Sequence, residues 1–314
     1  MRIARTFPVL VITAVLAACG KNPAPESSTS PESAAAAATP SGNVHEFTIG
    51  ELTAFALKDG DFVIPNDGKI FALNRSLEDV ATLLERAGAP TTELSLSIQP
   101  LLVKSGDRVL LFDTGAGVTA GDAAGRLVAS MNEAGISPAS VTDVFISHAH
   151  GDHIGGAFDK DGALVFPNAT VRMSAPEWEA TEASAADDEQ RAALVQTIAP
   201  KVETFAPGAE IVPGIVKAVD IKGHTPGHSG YLITSGNESL LYIGDSAHHY
   251  IVSVQEPDWT IQFDRDAPTA QASRKELIET NAASGQRIYA VHFPFPGLGQ
   301  FSAEGDRFVW RAEE

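Results

Sequence analysis

Apolar residues along this chain gather into short runs that stop at glycine, proline, aspartate or histidine. Residues 97–104 and 108–113 read as two strands joined by a turn at Ser105-Gly106-Asp107. Residues 122–134 carry helical spacing through Leu127, Val128 and Met131, and Gly135 stops the run. Residues 141–147 form a buried strand that leads into a segment rich in histidine. Residues 170–173 are a short strand, after which Pro176 is placed to open a helix. A further helix over 187–199 ends at Pro200. Strands follow at 215–221, 230–234 and 240–243, then a helix at 267–283 and a last strand at 288–291. Strands in runs with helices between the runs predict an α/β protein of two packed sheets with helices outside. No linker-like break divides residues 44–314, which are therefore expected to form one domain.

The amino-terminal pattern is different. Arg2 and Arg5 precede an apolar stretch at 7–18, and Leu16-Ala17-Ala18-Cys19 follows. This is the pattern of a secretory signal peptide, and the apolar stretch is shorter than the ~20 residues a membrane span needs. Leu-Ala-Ala-Cys also resembles a bacterial lipobox, in which the cysteine is lipidated and becomes the new amino terminus. Cys19 is the single cysteine of the chain, so a lipid attachment point gives it a purpose that an intramolecular disulfide cannot. Residues 1–18 are expected to be a lipoprotein-type signal peptide. Residues 19–43, rich in Pro, Ser, Ala and Thr, are expected to be the lipidated Cys19 and a disordered tether. Multiple acyl chains would anchor the protein to a membrane stably. Gly20 after Cys19, by resemblance to Gram-negative lipoproteins, favours outer-membrane sorting.

Composition narrows the partners. The apolar share of 44% and charged share of 20% are ordinary for a globular chain of 314 residues. A formal charge of -18 argues against nucleic acid, whose phosphates need a basic surface. It argues equally against polyanionic substrates, unless metals supply a local positive field.

The chemistry sits in His148-Ala149-His150-Gly151-Asp152-His153. His148 and His150 alternate and so can point the same way. Asp152 and His153 are adjacent, a poor arrangement for gripping one ion. Together they suit two ions side by side. Three later segments supply matching ligands: His224 in Gly223-His224-Thr225-Pro226-Gly227-His228, Asp245 after Gly244, and His292, each on a loop after an expected strand. A consistent assignment gives His148, His150 and His224 to the first metal and Asp152, His153 and His292 to the second, with Asp245 bridging both. Histidine and aspartate suit zinc, and also manganese, iron or cobalt. His228 is either a ligand in place of His224 or a residue behind the ligands. Asp113 either orients a ligand histidine from behind or simply turns the chain beside Gly115.

These motifs together resemble the metallo-β-lactamase-fold hydrolases. The resemblance implies an α/β fold of the αββα sandwich type, with a dinuclear site at one edge. A narrower resemblance, to methyl parathion hydrolase-like enzymes, rests on four segments: Asp59-Gly60-Asp61-Phe62-Val63-Ile64-Pro65, Gln262-Phe263-Asp264, His292-Phe293-Pro294-Phe295-Pro296-Gly297-Leu298-Gly299 and Ala303-Glu304-Gly305. It implies that His148, His150, Asp152, His153, His224, Asp245 and His292 carry the metals and that His248 lies near the site; relatives of this type are often dimers, which leaves a homodimer open here. Trp178 matches one aromatic of the substrate pocket in phosphotriesterase members, although the loop at 115–120 has no aromatic. Other branches fit less well. The best-known β-lactamases carry a cysteine where Asp245 stands. Glyoxalase II-like enzymes carry basic residues near the carboxy terminus, whereas residues 302–314 are mostly acidic apart from Arg307 and Arg311. Quorum-quenching lactonases have a tyrosine close behind the bridging aspartate, where Ser246, Ala247 and His248 follow here.

The expected activity is hydrolysis by a metal-bridging hydroxide acting on an aryl ester, lactone or organophosphate triester. One ion polarises the substrate oxygen, and the catalytic carboxylates Asp152 and Asp245 handle the proton. Alternatives are another hydrolase branch of β-lactamase or thioesterase type, and a non-catalytic metal-binding surface lipoprotein. Structural zinc sites are closed and four-coordinate, so seven ligands for two ions weigh against the last. A redox di-iron member would carry a flavodoxin-like domain and often a glutamate in the histidine motif, and neither is present.

Overall fold

Central strands buried on both faces, with helices packed on the outer faces of the sheets, make the layers of this fold. The computed structural model describes residues 42–313, which fall within one compact unit. The signal peptide, Cys19 and nearly all of the tether lie outside the described residues. In chain order the strands are β1 (Val44–Ile49), β2 (Leu52–Leu57), β3 (Gly60–Pro65), β4 (Glu93–Ile98), β5 (Leu101–Ser105), β6 (Arg108–Phe112), β7 (Asp143–Phe145), β8 (Thr170–Ser174) and β9 (Val202–Phe205). They continue with β10 (Glu210–Val212), β11 (Val216–Asp220), β12 (Ser229–Ser235), β13 (Glu238–Tyr242), β14 (Arg287–Tyr289), β15 (Leu298–Glu304) and β16 (Arg307–Ala312). The helices are α1 (Leu77–Arg86), α2 (Leu127–Glu133), α3 (Gly151–Ile154), α4 (Ala175–Ser184), α5 (Glu189–Ile198), α6 (Val252–Gln255) and α7 (Ala267–Ser284).

Two seven-stranded sheets, β1-β2-β5-β6-β7-β8-β9 and β10-β11-β12-β13-β14-β15-β16, share one core. Its centre is aromatic: Phe112 stacks on Phe145 at 4.8 Å and Tyr242 stacks on Tyr289 at 5.6 Å. The outer face of the first sheet packs on α2 and α5 through Leu111, Val144, Met131 and Leu194, and the outer face of the second packs on α7 through Leu241, Ile288, Leu277 and Ile278. The result is the αββα sandwich that the sequence resemblance implies. The strands that lead to the site are central ones: β6 and β7 pair in parallel, as do β13 and β14, so their carboxyl ends reach one edge together. A side lobe of β3, β4, α1 and residues 250–261 packs around Phe71, Leu83, Leu96 and Trp259.

Most of the elements expected from the sequence form, two of them differ in extent, and several were not expected, among them β1, β2, β3, β9, β10, β15, β16 and α1. Residues 97–104 are not one strand. Gln99-Pro100 breaks them, because proline has no N–H for a ladder. Ser97 and Ile98 belong to β4 of the side lobe, and β5 begins at Leu101. The buried Gln99 side chain donates to the carbonyls of Ala290 and Phe293, at 3.1 and 2.9 Å. The helix expected over 122–134 begins only at Leu127, where it has no side-chain cap of its own. Its cap comes from far away: Asp59 accepts the N–H of Leu127 at 2.7 Å, of Gly125 at 3.1 Å and of Ala116 at 2.9 Å. Gly115, at φ 71°, is required there, since a Cβ would lie 2.6 Å from the Asp59 carboxyl carbon. Finally, α1 was not expected, although Ser76 and Asp79 form a full capping box at its start.

Asp59 is fully buried and satisfies three N–H groups on the loop that leads from Asp113 to α2. Replacing it with alanine orphans those donors, and the expected cost is about 3–5 kcal/mol. Urea unfolding of Asp59→Ala checks this; a loss under about 1 kcal/mol would show that water replaces the carboxylate cheaply.

Candidate metal centre

Each expected ligand follows the carboxyl end of a central strand. His148 and His150 follow β7, and Asp152 and His153 lie on α3 just beyond. His224 follows β11, Asp245 follows β13 and His292 follows β14. The loops bring these residues into two groups: His148, His150, His224 and Asp245 in one, and Asp152, His153 and His292 in the other. In the first, His224 Nε2 lies 3.2 Å from His148 Nε2 and 3.1 Å from His150 Nδ1. In the second, His153 Nε2 lies 3.3 Å from His292 Nε2, and Asp152 Oδ2 lies 3.6 and 3.5 Å from the same two nitrogens. Adjacency therefore does not separate Asp152 from His153: the helical turn of α3 brings both side chains to one point.

Asp245 straddles the groups. Its Oδ2 faces His148 and His224 at 3.5 and 3.4 Å, and its Oδ1 faces His153 and His292 at 3.1 Å each. Oδ1 is buried and has no hydrogen-bond partner among the described residues. Behind Asp245, His228 donates from Nδ1 to the Ile221 carbonyl at 3.1 Å and accepts the Asp245 N–H at Nε2, 2.9 Å away. His228 thus holds the bridging residue's backbone and is not in either group.

The donor set fits divalent ions. Convergent imidazole nitrogens about 3 Å apart, with lone pairs toward one another, leave a buried polar hole that a cation fills. The far side of nearly every ring is tied down, as metal-binding histidines require. His153 Nδ1 bonds Asp113 at 2.7 Å, His224 Nδ1 bonds Asp264 at 3.0 Å and His292 Nδ1 donates to the Ser97 carbonyl at 2.7 Å. Ser147 Oγ lies 3.1 Å from His148 Nδ1. Asp113 also accepts from the Ser147 N–H and hydroxyl and from the Tyr242 hydroxyl, each at 2.7 Å. The backbone of Asp113 is in the left-handed region, φ 59°, which turns its carboxylate under the site. Asp264 is held in turn by the buried Arg274 at 2.6 Å, whose Nε also donates to the Ser246 carbonyl at 2.8 Å.

The electrostatics follow from burial against charge. Burial, with its neighbouring imidazoles, pushes His148 well below the ordinary histidine range and His150 down to about 4. Burial acts on His153, His224 and His292 too, but the carboxylates beside them outweigh it and raise all three. Burial alone would raise Asp245, yet the surrounding imidazoles hold it well below the usual carboxylate range. Asp264 falls to about 2 against its burial, through His224 and Arg274.

The two expected pocket residues differ in placement. His248 lies 3.3 Å from Asp245 Oδ2, stacks parallel to His292 with centroids 6.0 Å apart, and has no hydrogen-bond partner at either ring nitrogen among the described residues. Trp178 instead packs against the apolar cluster under the first sheet. The small cavity of about 140 Å³ beside His150 and His224 is lined from the same helix by Ala180, Thr181 and Ser184. Sequence reasoning assigned no role to Arg274, Tyr242, Ser147 or Glu177. Tyr242 and Glu177 find their partners 28 to 129 residues away, and Arg274 acts through Asp264 and not on an expected ligand, so spacing carries no signal for them.

Comparison with known proteins agrees with this geometry. The model of the Metallo-beta-lactamase superfamily matches residues 97–292, the stretch that runs from the Ser97 carbonyl to His292. Comparison with curated protein sequences gives no match. Among solved structures, AidC, a dizinc quorum-quenching lactonase in complex with a product N-hexanoyl-L-homoserine, is 32% identical with a TM-score of 0.80, over 87% of this chain and 98% of that one. The hydrolase AbOPH of the beta lactamase superfamily is 28% identical with a TM-score of 0.78, over the same shares of 87% and 98%. A probable metal-dependent hydrolase from Staphylococcus aureus, 19% identical with a TM-score of 0.68 over 85% of this chain and all of that one, shares the fold. A fold shared along almost the whole of these chains, and a family match that takes in every residue of the two groups, make this protein a member of the metallo-beta-lactamase superfamily.

Proposed function

We propose that the protein is a dinuclear metal-dependent hydrolase of lactones and related esters. The observation that carries this reading is Asp245, whose two oxygens face different histidine groups. Zinc is the ion we assign, with manganese, iron and cobalt also suited to His/Asp donors. Two such ions would supply a water activated at neutral pH and a Lewis acid for a carbonyl or phosphoryl oxygen. His148, His150 and His224 would hold one, Asp152, His153 and His292 the other, and Asp245 both.

The chain's own residues do the rest. Asp152 is the open carboxylate of the set, its side chain 21% exposed against 4% for Asp245. It is placed to take the proton of the attacking water and pass it to the departing oxygen. A lactone alkoxide needs that proton; a phenolate or an activated phosphate ester needs it less. His248 is pushed down by burial and so stays neutral, with one N–H to donate to substrate and one lone pair to accept. The likeness to AidC supports lactones first, with aryl esters and phosphotriesters behind.

Removing metal with a chelator should abolish lactone hydrolysis, and zinc should restore it. On the zinc-loaded domain a lactone, an aryl ester and a phosphotriester should rank in that order. A chelated protein that still hydrolyses all three would sink the metal mechanism, and a phosphotriester preference would move the substrate assignment.

Protonation gives a second test. Where carboxylates raise a histidine, as with His153, His224 and His292, the gain is present below the ordinary value of 6.5 and lost as pH climbs through the raised value. Where burial lowers one, as with His148, His150 and His248, stability is lost as pH falls below 6.5. Metal-free protein should therefore melt highest near pH 6.5 and fall on either side. Metal binding needs neutral imidazoles, so the zinc-loaded protein should instead gain stability from about pH 6 to about 8. Parallel melting curves for the two forms would contradict this.

We further propose that Cys19 carries a lipid anchor and that the domain works outside the inner membrane, most directly at the outer membrane. Cys19→Ser should release the protein from the membrane fraction; a variant that stays there would rule the anchor out.

A further inference from the structure

Glu177 is a buried carboxylate, 3% exposed, that the reaction above does not use. It sits in the first turn of α4, where a glutamate ordinarily folds back to cap its own helix. Here Ser174 caps the helix instead, accepting the Glu177 N–H at 3.3 Å. The Glu177 side chain turns outward and splits between two loops. Oε1 accepts the N–H of Ala149 at 2.9 Å. Oε2 accepts the Thr225 hydroxyl at 2.7 Å and the N–H of Gly227 at 2.9 Å. Ala149 is the residue between His148 and His150, and Thr225 is the residue after His224. One carboxylate therefore ties together the two loops that carry all three imidazoles of the first group.

The surroundings make this tie stiff. The Ala149 carbonyl accepts from Arg191 Nη1 of α5 at 2.5 Å, so both sides of that peptide are held by the α4–α5 pair. Ser174 Oγ donates to the Gly227 carbonyl at 2.6 Å. Gly227 packs so close that a Cβ would lie 2.2 Å from the Glu177 nitrogen. A buried carboxylate is costly unless its lone pairs are met, and the three donors come only from these loops. Glu177 is itself in neither ligand group.

We propose that Glu177 is a positioning residue for the first metal position: it fixes His148 and His150 against His224 before an ion arrives, and gives that position its affinity. The proposal rests on the dinuclear reading above. It singles out one half of the site, because His153 and His292 are held by Asp113 and the Ser97 carbonyl and owe nothing to Glu177.

The test is zinc titration of the metal-free full-length protein against a chromophoric chelator, for the wild type, Glu177→Ala, Glu177→Gln and Thr225→Val. The wild type should take two ions. Glu177→Ala should bind one of them about 10–100-fold more weakly and keep the other. Glu177→Gln turns an amide NH₂ against one of the loop donors and should fall between. Thr225→Val removes a single donor and should show a small loss at the same position, which keeps the test decisive if Glu177→Ala does not fold. In the cobalt protein, the hyperfine-shifted ring signals of three histidines should weaken and those of two should persist. Unchanged affinity for both ions would overturn the proposal. So would an equal loss at both positions together with a lower melting temperature of the metal-free form, the mark of a merely structural residue. A wild type that takes fewer than two ions overturns the dinuclear reading, and the proposal with it.

Discussion

Five imidazoles and two carboxylates do not converge at one edge of a sandwich unless something behind each of them holds it there. Their nitrogens lie about 3 Å apart with lone pairs facing one another, and most of them are out of reach of water. Left free, the rings would rotate apart or take up protons and separate. The chain answers with fixed acceptors on the far sides. Asp113 gathers His153, Ser147 and Tyr242 into one knot. Asp264 and Arg274 hold His224 and reach the Ser246 carbonyl beside Asp245. These buried ionic groups are poor investments for stability alone, since well-packed apolar residues do as well. Their value is geometric: they hold the converging groups in place without an ion to pull them together.

The sandwich supplies what local sequence cannot, a common edge. β6 and β7 run parallel in one sheet, β13 and β14 run parallel in the other, and the tyrosine and phenylalanine core between them sets how far apart those ends lie. The side lobe adds a third anchor. Ser97 at the end of β4 takes the His292 Nδ1–H on its carbonyl, and Gln99 takes the backbone carbonyls on either side of that histidine's loop. The break at Gln99-Pro100 is therefore a working part. A continuous strand there would place residue 99 in the ladder and leave the His292 loop without its clamp.

The residues of the two groups were legible in the sequence because their order is local: a histidine-rich loop after one apolar run, and single His or Asp residues after three others. The central strands were legible for the same reason, as short apolar runs bounded by turn residues. What holds the ligands was not legible. Asp264 lies 40 residues from His224, and Tyr242 lies 129 residues from Asp113. Asp59 caps α2 from 68 residues away, so nothing in the neighbouring sequence marks Leu127 as the start of the helix. Glu177 and Trp178 are neighbours on α4, and aromatic content drew attention to the second, yet the tryptophan faces the core and the glutamate reaches the site. Adjacent helical positions point about 100° apart, a difference that only the packed structure resolves.

The same packing decides from which side a substrate reaches the site. His148, His153, His224, His292 and Asp245 are all buried. The two members that keep some exposure are His150 and Asp152, one from each group, and they flank Gly151 at the start of α3. The solvent-facing side of both groups therefore lies at this turn, and Asp245 is buried behind it. A backbone with a glycine between the two open ligands leaves that approach clear of a side chain. On the flank nearest His150 and His224, Phe263 and Arg265 face the α4–α5 pair across the small cavity. The rim is thus divided: the histidine-rich flank carries that cavity, whereas Asp152, the more exposed of the two carboxylates, lies on the other.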